Sequence, residues 1–183
     1  TLTGTRDACL LLLGFAAATR RSELVALDIE DLDLKPAELR IVIRSSKTDQ
    51  AGAGAEVVIP AIDGELDPVA ATRAWLDQSG ITRGPLFRKI DRWGRVGQTR
   101  LTAQSVALVV KAAARSAGLD WRRLSGHSLR AGFATSAILN GAAAVDAMAV
   151  TRHRSEAVFR GYLRRAGVQQ AKAVKTAFGQ VND

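Results

Sequence analysis

The run of residues 8–18 contains only apolar side chains and glycine, and it constrains the fold more than any other segment. A helix that is apolar on most faces has to be buried on most faces, so the rest of the chain must build a core around it. The run is shorter than the roughly 20 residues that a bilayer span requires. We therefore expect a helix over residues 5–18 inside one globular domain, and 183 residues that are 47% hydrophobic suffice for its core.

After this helix the hydrophobic period changes to that of strands and later returns to that of helices. Thr19 is a favourable N-cap for a short second helix. Three short strands are predicted at 31–34, 39–44 and 56–60. The further predicted helices are 67–78, 102–117, 128–140, 145–150, 156–165 and 168–178. The pattern predicts an α+β fold, mainly α, with a small three-stranded antiparallel sheet and an arginine-rich segment at 83–100 that turns at Trp93-Gly94.

Basic residues are concentrated in the second half of the chain. The net charge is +8, with −5 on residues 1–80 and +13 on residues 81–183. Such asymmetry indicates a polyanionic partner, most commonly nucleic acid, with a solvated basic surface as the alternative. The single Cys9 and the two histidines provide neither a disulfide framework nor a zinc site. We expect a protein of a reducing, intracellular setting, with no metal and no cofactor.

Two helix starts combine basic and reactive side chains. Arg20 follows Thr19 where the N-terminus of a helix attracts phosphate, and Glu23 lies one turn further. His127 and Arg130 are three residues apart at a later helix start, so their side chains share a face. Taken alone, the Arg20–Glu23 pattern is a weak signal that a surface ion pair also explains, and the His127–Arg130 pattern is better explained as an exposed polar helix start.

Tyr162 is the only tyrosine of the chain. Basic residues stand at 160, 164 and 165, and His153 lies nine residues upstream. A tyrosine on an apolar helical stripe is usually a core residue with one hydrogen bond. Its basic neighbours make this phenol a candidate nucleophile.

Together these segments resemble the tyrosine recombinase family, also called the phage integrase family. That family has an Arg-x-x-Glu box, a lysine on a β-hairpin, a His-x-x-Arg box, a His or Trp, and then a Tyr. The matching residues here are Arg20, Glu23, Lys47, His127, Arg130, His153 and Tyr162. The resemblance extends from about residue 5 to residue 165. The sequence Ser-Gly-His-Ser-Leu-Arg at 125–130 is similar to that of the Cre-like and Xer-like members.

The chain departs from the family pattern at two places without losing a reacting group. Many members have Thr-Gly-Leu-Arg before the first arginine, where this chain has Ala18-Thr19-Arg20, and Leu-Gly-His where it has Thr151-Arg152-His153. A helical core-binding domain usually precedes the catalytic domain. We expect residues 1–183 to be a single C-terminal catalytic domain without that N-terminal domain.

The resemblance implies a site-specific recombinase that cleaves and rejoins duplex DNA without metal or ATP. Tyr162 would attack the phosphate and form a 3′-phosphotyrosyl bond, and Lys47 would protonate the leaving 5′ oxygen. The fold implied is that of the tyrosine recombinase catalytic domain.

The other matched residues have roles that the resemblance also implies. Arg20 and Arg130 would bind the non-bridging oxygens of the phosphate. His127 would serve as acid and base, and His153 would hydrogen-bond the phosphate. Glu23 would support the site without reacting.

The partners implied are double-stranded DNA and further copies of the chain. Residues 168–178 (Val168 to Phe178) carry one apolar helical stripe. In relatives such a C-terminal helix docks onto a neighbouring subunit and links a DNA-bound tetramer, while the alternative is that it folds back onto its own domain. The expected location is the prokaryotic cytoplasm, on DNA.

Three other functions compete with recombination. A type IB topoisomerase has a closely related catalytic set and forms the same 3′ bond, but does not exchange strands between two sites. A DNA-binding regulator or excision cofactor would bind without cleaving. A purely structural domain leaves the ordered series of matched residues unexplained.

Overall fold

The computed structural model describes residues 1–44 and 54–153, together with residues 155, 159 and 161. The chain divides into two compact units, Thr1–Arg130 and a second unit that begins at Ala131. The helices are α1 (Leu2–Ala16), α2 (Arg21–Ala26), α3 (Pro68–Ser79), α4 (Ala103–Ser116), α5 (Ser128–Leu139) and α6 (Ala144–Thr151). The strands are β1 (Leu32–Leu34), β2 (Glu38–Ile43), β3 (Ala55–Pro60), β4 (Arg88–Ile90) and β5 (Val96–Arg100).

Helix α1 is the buried helix that the apolar run predicts. It begins earlier than residue 5 because the Thr1 hydroxyl accepts a hydrogen bond from the Gly4 amide at 3.1 Å and caps the helix. Cys9, Leu10 and Leu13 have no exposed surface. Burial raises the pKa of the Cys9 thiol to about 12, so this cysteine is a core residue and not a nucleophile.

Helix α3 packs on α1 and closes the core of the first unit. The Cys9 thiol donates to the Thr72 hydroxyl at 3.6 Å, and the buried Trp75 indole donates to the Leu86 carbonyl at 2.9 Å. The ends of α3 agree with the sequence pattern, since the Asp67 side chain caps its start and Gly80 ends it with a left-handed φ of +65°.

Strands β1, β2 and β3 form the predicted three-stranded antiparallel sheet in that order. Leu39 pairs with Ile59 and Ile41 with Val57, and all four side chains are buried. The neighbouring Val58 is 45% exposed, so one face packs on the core and the other meets solvent. The alternation that predicted the strands is therefore confirmed.

Strands β4 and β5 form a separate two-stranded hairpin that the sequence pattern did not indicate. Only its turn was predicted, and the structure confirms that turn with Gly94 at φ +83°. The strands pair at Arg88 with Arg100 and at Ile90 with Val96, with an irregularity between them. A short, arginine-rich ladder with a bulge has no apolar alternation, so period-based analysis reads it as a loop.

The remaining described helices follow their predicted positions. The Thr102 hydroxyl caps α4 by accepting from the Ser105 amide at 3.2 Å. In the second unit, Ala134, Ala147 and Phe159 form a small buried cluster. Of the predicted helix 156–165 only residues 159 and 161 are described, both helical, and the predicted helix 168–178 lies outside the described residues. Within the described part of the chain, no helix has the length and apolar character needed to cross a bilayer.

Candidate active site

The link between α1 and α2 turns sharply at Ala18. This residue has φ +46°, a left-handed conformation that costs a side chain with a Cβ roughly 1–2 kcal/mol. Ala18 is fully buried, and its carbonyl oxygen accepts a hydrogen bond from Nη1 of Arg130 at 2.8 Å. The turn therefore brings the arginine of the second predicted box to within two residues of Arg20.

Arg20 and Glu23 form a closed local pair at the start of α2. The Arg20 amide donates to Oε2 of Glu23 at 2.8 Å, and Nη1 of Arg20 donates to Oε1 at 2.5 Å. The Glu23 side chain is 3% exposed and that of Arg20 is 25% exposed. One buried carboxylate thus satisfies the end of the helix and orients the guanidinium, which leaves part of Arg20 open to a ligand.

Thr19 does not cap α2, which corrects the prediction from the sequence. The residue at the N-cap position is Arg20, and its backbone amide donates to the Glu23 carboxylate. Thr19 is buried, and its hydroxyl has no hydrogen-bond partner among the described residues. The left-handed Ala18 rotates the following peptide, so the helix starts one residue later than the cap preference alone indicates.

The His-x-x-Arg box lies at the start of α5, as predicted. Ser125 and Ser128 define this start, because the Ser125 amide donates to Oγ of Ser128 at 2.9 Å and the His127 amide donates to Oγ of Ser125 at 3.2 Å. His127 is exposed, whereas Arg130 is 1% exposed. One turn of helix therefore supplies an accessible imidazole and a buried guanidinium.

Two glycines allow these segments to approach closely. A Cβ on Gly126 would lie 3.1 Å from both Cβ and Cδ of Arg21. A Cβ on Gly14 would lie 2.8 Å from Cδ1 of Leu129 and 2.8 Å from Cδ2 of Leu24. The start of α5 therefore packs so closely against α1 and α2 that a Cβ at either glycine would force neighbouring side chains to shift.

Arg100 is a supporting residue that sequence reasoning missed. Its Nη1 donates to the carbonyls of Val25 at 2.6 Å and Leu27 at 3.0 Å, and its Nη2 pairs with Oδ1 of Asp28 at 2.5 Å. These acceptors belong to the end of α2 and the residues after it. Arg100 therefore fixes α2, the helix that Arg20 precedes, to the base of the β4–β5 hairpin.

A second ion pair connects the same region to β2. The buried Asp31 carboxylate pairs with Nε of Arg44, and its Oδ2 accepts from the Asp28 amide at 2.9 Å. Arg44 directly follows β2. The sequence does not indicate the Arg100–Asp28 pair or the Arg44–Asp31 pair, because the two partners of each pair are well separated along the chain and belong to no recognisable motif.

His153 lies in the second unit, after the left-handed Arg152 that ends α6. The Thr151 hydroxyl donates to the Ala147 carbonyl at 2.8 Å, so its oxygen accepts from Nδ1 of His153 at 2.8 Å. The ring also meets Phe159 edge-on, with centroids 5.7 Å apart. In a neutral ring with its proton on Nδ1, Nε2 is an acceptor.

Among the described residues, the Ala18 turn brings Arg130 close to the segment that holds the Arg20–Glu23 pair, and His127 lies three residues before Arg130 at the start of α5. A guanidinium group that is oriented by a hydrogen bond can bind phosphate oxygens in a planar, two-pronged geometry. Lys47 and Tyr162, the predicted acid and nucleophile, lie outside the described residues.

Comparison with known proteins identifies the same family from a family model and from individual relatives. The family model described as "Phage integrase family" matches residues 1–167. An integrase/recombinase xerD homolog of Selenomonas ruminantium is 42% identical over 180 residues, which cover 98% of this chain and 53% of that protein. A tyrosine recombinase XerD of Caulobacter vibrioides is 31% identical over 176 residues, covering 94% of this chain and 54% of that protein.

Solved recombinase structures share the fold. A XerH site-specific recombinase bound to difH substrate superposes with a TM-score of 0.68 at 21% identity, covering 88% of this chain and 43% of that chain. Its complex with palindromic difH substrate gives a TM-score of 0.71 at 20% identity, covering 96% of this chain and 46% of that chain. The fold predicted from the sequence, the tyrosine recombinase catalytic domain, is confirmed.

The chain spans about half the length of the curated relatives that it matches. Within that span, both the family model and the relatives cover the segments that hold the two arginine boxes. The chain therefore belongs to the phage integrase family of tyrosine recombinases.

Proposed function

We propose that this chain is the catalytic domain of a site-specific recombinase that cuts and rejoins duplex DNA through a 3′-phosphotyrosyl bond to Tyr162. One observation carries the proposal. The Arg130 guanidinium bonds to the carbonyl of Ala18, two residues before Arg20, so two arginines that are 110 residues apart in sequence meet at one buried turn.

The two arginines answer the main obstacle to cleaving a phosphodiester. The negative charge of the phosphate repels a nucleophile, and further charge develops on the non-bridging oxygens in the transition state. Arg20 and Arg130 are already oriented, by the Glu23 carboxylate and by the Ala18 carbonyl. Donors that are fixed before the reaction need little reorganisation, which is how such sites stabilise the transition state most effectively.

Tyr162 and Lys47 carry the bond changes in this proposal. The phenol oxygen of Tyr162 attacks phosphorus, the bond from phosphorus to the 5′ oxygen breaks, and the phenol proton leaves to a base. Lys47 gives a proton to the departing 5′ oxygen. One phosphoester bond replaces another, so the reverse attack by a 5′ hydroxyl rejoins a strand without ATP.

The two histidines have different tasks. His127, exposed at the start of α5, would transfer the proton of the phenol. His153 would donate from Nε2 to a non-bridging oxygen, because its Nδ1 proton is engaged by the Thr151 hydroxyl. The ring must then carry both protons, so the cationic form of His153 is the active one.

The partner in this proposal is duplex DNA. The XerH structures that share the fold contain difH substrate, and residues 81–183 of this chain carry a net charge of +13. We further propose that the chain acts as a tetramer on DNA linked by residues 168–178, in the cytoplasm of a prokaryote.

Trapping of the covalent intermediate tests the function. A nicked duplex that loses a short strand after cleavage should accumulate an adduct on a denaturing gel, with EDTA present or absent. Tyr162→Phe should abolish the adduct and leave duplex affinity nearly unchanged, because only one hydroxyl is removed. An adduct that persists in Tyr162→Phe contradicts the nucleophile, and binding without any adduct in the wild type indicates a regulator. Exchange between two labelled sites separates a recombinase from a topoisomerase.

A further inference from the structure

The tip of the β4–β5 hairpin exposes a tryptophan among arginines. Trp93 is 65% exposed, whereas Trp75 is fully buried. The Cζ atom of Arg92 lies over the Trp93 ring, 4.1 Å from its centroid, and the Cζ atom of Arg95 lies 5.0 Å from it. A large aromatic side chain that is exposed to solvent beneath two cations contributes little to the core. An exposed tryptophan between two arginines is typical of a binding surface.

The tip is ordered before any partner binds. Oδ1 of Asp91 accepts from the amides of Trp93 and Arg95, each at 2.9 Å, and Oδ2 accepts from Nε of Arg95 at 3.0 Å. The backbone hydrogen bond from Arg95, followed by that from Trp93, holds the pKa of Asp91 below its ordinary value. Gly94 supplies the left-handed residue of the turn. A surface that is already shaped loses little conformational entropy on binding.

The charge of the hairpin favours a polyanion over a protein. Residues 81–100 hold six basic residues and one acidic residue. Arginine guanidinium groups bind phosphate in a planar, two-pronged geometry, and an indole packs on the flat or apolar parts of a nucleotide. A second copy of this chain would have to offer acidic residues to the tip, and two of its acids, Asp28 and Asp31, are already engaged by Arg100 and Arg44.

The hairpin is anchored next to the candidate active site. Its base is held by Arg100, which bonds the carbonyls of Val25 and Leu27 just after α2. The Leu86 amide also bonds the Leu27 carbonyl, at 3.0 Å. From Arg100 to Gly94 is six residues, so the tip lies within about 20 Å of the base. That reach corresponds to about six base pairs of duplex at about 3.4 Å each.

We propose that the tip formed by Arg92, Trp93 and Arg95 binds the backbone of duplex DNA beside the cleavage site. The two arginines bind phosphates, and the indole packs on the adjacent sugar. The contact rests on the proposed function for its partner, and it anchors the catalytic domain on the flank of the site without taking part in bond cleavage.

A pair of double variants tests the contact by its salt dependence. Arg92→Ala/Arg95→Ala removes both tip cations but keeps the backbone amides that bond Asp91. Arg40→Ala/Arg73→Ala removes the same charge from the acidic half of the chain and is the matched control. Each phosphate contact contributes about 0.9 to the slope of log affinity against log salt, so the tip variant should lose about 1.8. At about 0.1 M salt its affinity should fall roughly tenfold or more, and that of the control much less.

Tryptophan fluorescence provides an independent readout. Iodide should quench Trp93 in the free protein and should quench it much less in the DNA complex, because Trp75 is buried and Trp121 is only partly exposed. Trp93→Phe should remove most of the protectable signal.

The outcomes separate this contact from the function on which it rests. Equal salt slopes for the two double variants, or unchanged quenching of Trp93 on DNA, overturn the proposal. A change in oligomeric state in Trp93→Phe without DNA assigns the tip to a second copy and also overturns it. A wild type that forms no adduct but binds duplex through the tip refutes the catalytic function and leaves the contact standing.

Discussion

Arg130 and Arg95 place the same guanidinium group in opposite settings. Arg130 is 1% exposed and bonded to the backbone carbonyl of Ala18. The Arg95 side chain is 73% exposed, lies over the Trp93 ring and pairs with the Asp91 carboxylate. Around the Ala18 turn specific acceptors, the Glu23 carboxylate and the Ala18 carbonyl, orient the arginines, while at the hairpin tip the arginines lie on a small surface that solvent reaches.

The difference separates catalysis from attachment. A buried guanidinium with one allowed position can stabilise a transition state, because the distance to the developing charge is set in advance. An exposed arginine contributes mainly long-range attraction that salt screens, and at low salt a lysine retains that part of the attraction. The substitutions that follow should therefore have effects that diverge between the two regions.

Arg130→Lys should cause the largest loss. A lysine ammonium cannot bond the Ala18 carbonyl and present a planar pair of donors to a phosphate at the same time. Loss of one fixed donor to a developing oxyanion costs roughly a hundredfold to a thousandfold in rate, and we expect the upper value in adduct formation. Arg95→Lys is the matched control and should remain within about twofold at low salt. Equal losses in both variants would remove the distinction between the regions.

Sulfur in place of the bridging 5′ oxygen should separate the arginines of the site from Lys47. A thiolate leaves without a proton, so a Lys47→Ala variant that loses at least about a hundredfold on the oxygen substrate should recover on the sulfur substrate. Arg20→Ala should stay defective on both, because sulfur does not change the non-bridging oxygens. Adduct rates for both variants on both strands are the measurement. Rescue of Arg20→Ala, or none for Lys47→Ala, would assign the acid to another residue, first of all His127.

Glu23→Gln should lower the adduct rate about tenfold with little change in DNA affinity. The glutamine oxygen can accept from only one of the two Arg20 donors that the carboxylate now binds at 2.8 and 2.5 Å, so the guanidinium loses its fixed orientation. The lost charge-assisted bond should also reduce the free energy of unfolding by about 1–2 kcal/mol in urea titrations. A drop in affinity at constant cleavage rate would show that Glu23 acts on binding instead.

Gly14→Ala and Gly4→Ala should shift stability in opposite directions although both lie in α1. A Cβ at Gly14 meets Leu24 and Leu129 at 2.8 Å, so overpacking should cost about 1–3 kcal/mol and displace the helix that carries Arg130. A Cβ at Gly4 meets only the Thr1 hydroxyl, at 3.2 Å, and alanine should stabilise the helix by about 0.5–1 kcal/mol. Thermal unfolding of both variants is the measurement, and a stabilised Gly14→Ala would show that α5 does not need this close approach.

The sequence predicted those parts of the site whose signal is local. The pairing of Arg20 with Glu23 and of His127 with Arg130 can be predicted because each pair is only three residues apart. The sheet of β1, β2 and β3 can be predicted because apolar residues alternate with polar ones, as at Leu39 and Ile41. The residues expected to act in the site were recognised from their order along the chain. Their roles, including those of Lys47 and Tyr162, remain predictions.

Other parts depend on contacts between distant residues. The Ala18 carbonyl is an acceptor for Arg130 because Ala18, two residues after the end of α1, has a left-handed conformation. An alanine in the sequence does not predict a positive φ. The same turn makes Thr19 a buried hydroxyl and not the cap that its residue type favours. Arg100 contacts Val25 across 75 positions of sequence, so the sequence pattern alone places it only in a polar, arginine-rich segment.

Asp91→Asn should have the smallest effect and the most informative sign. In the buried site, the removal of the Glu23 charge should harm function, because that charge orients an arginine. At the exposed tip, an asparagine oxygen can still accept from the amides of Trp93 and Arg95, and the lost Asp91–Arg95 ion pair is a surface pair of little value. Removing a negative charge beside a bound polyanion should instead raise duplex affinity by up to about twofold, with the gain disappearing at high salt. The measurement is the duplex affinity of the wild type and of Asp91→Asn at a low and a high salt concentration. A clear loss of affinity would mean that Asp91 positions Arg95 as strictly as Glu23 positions Arg20, and the contrast between a fixed site and an adaptable platform would then fail.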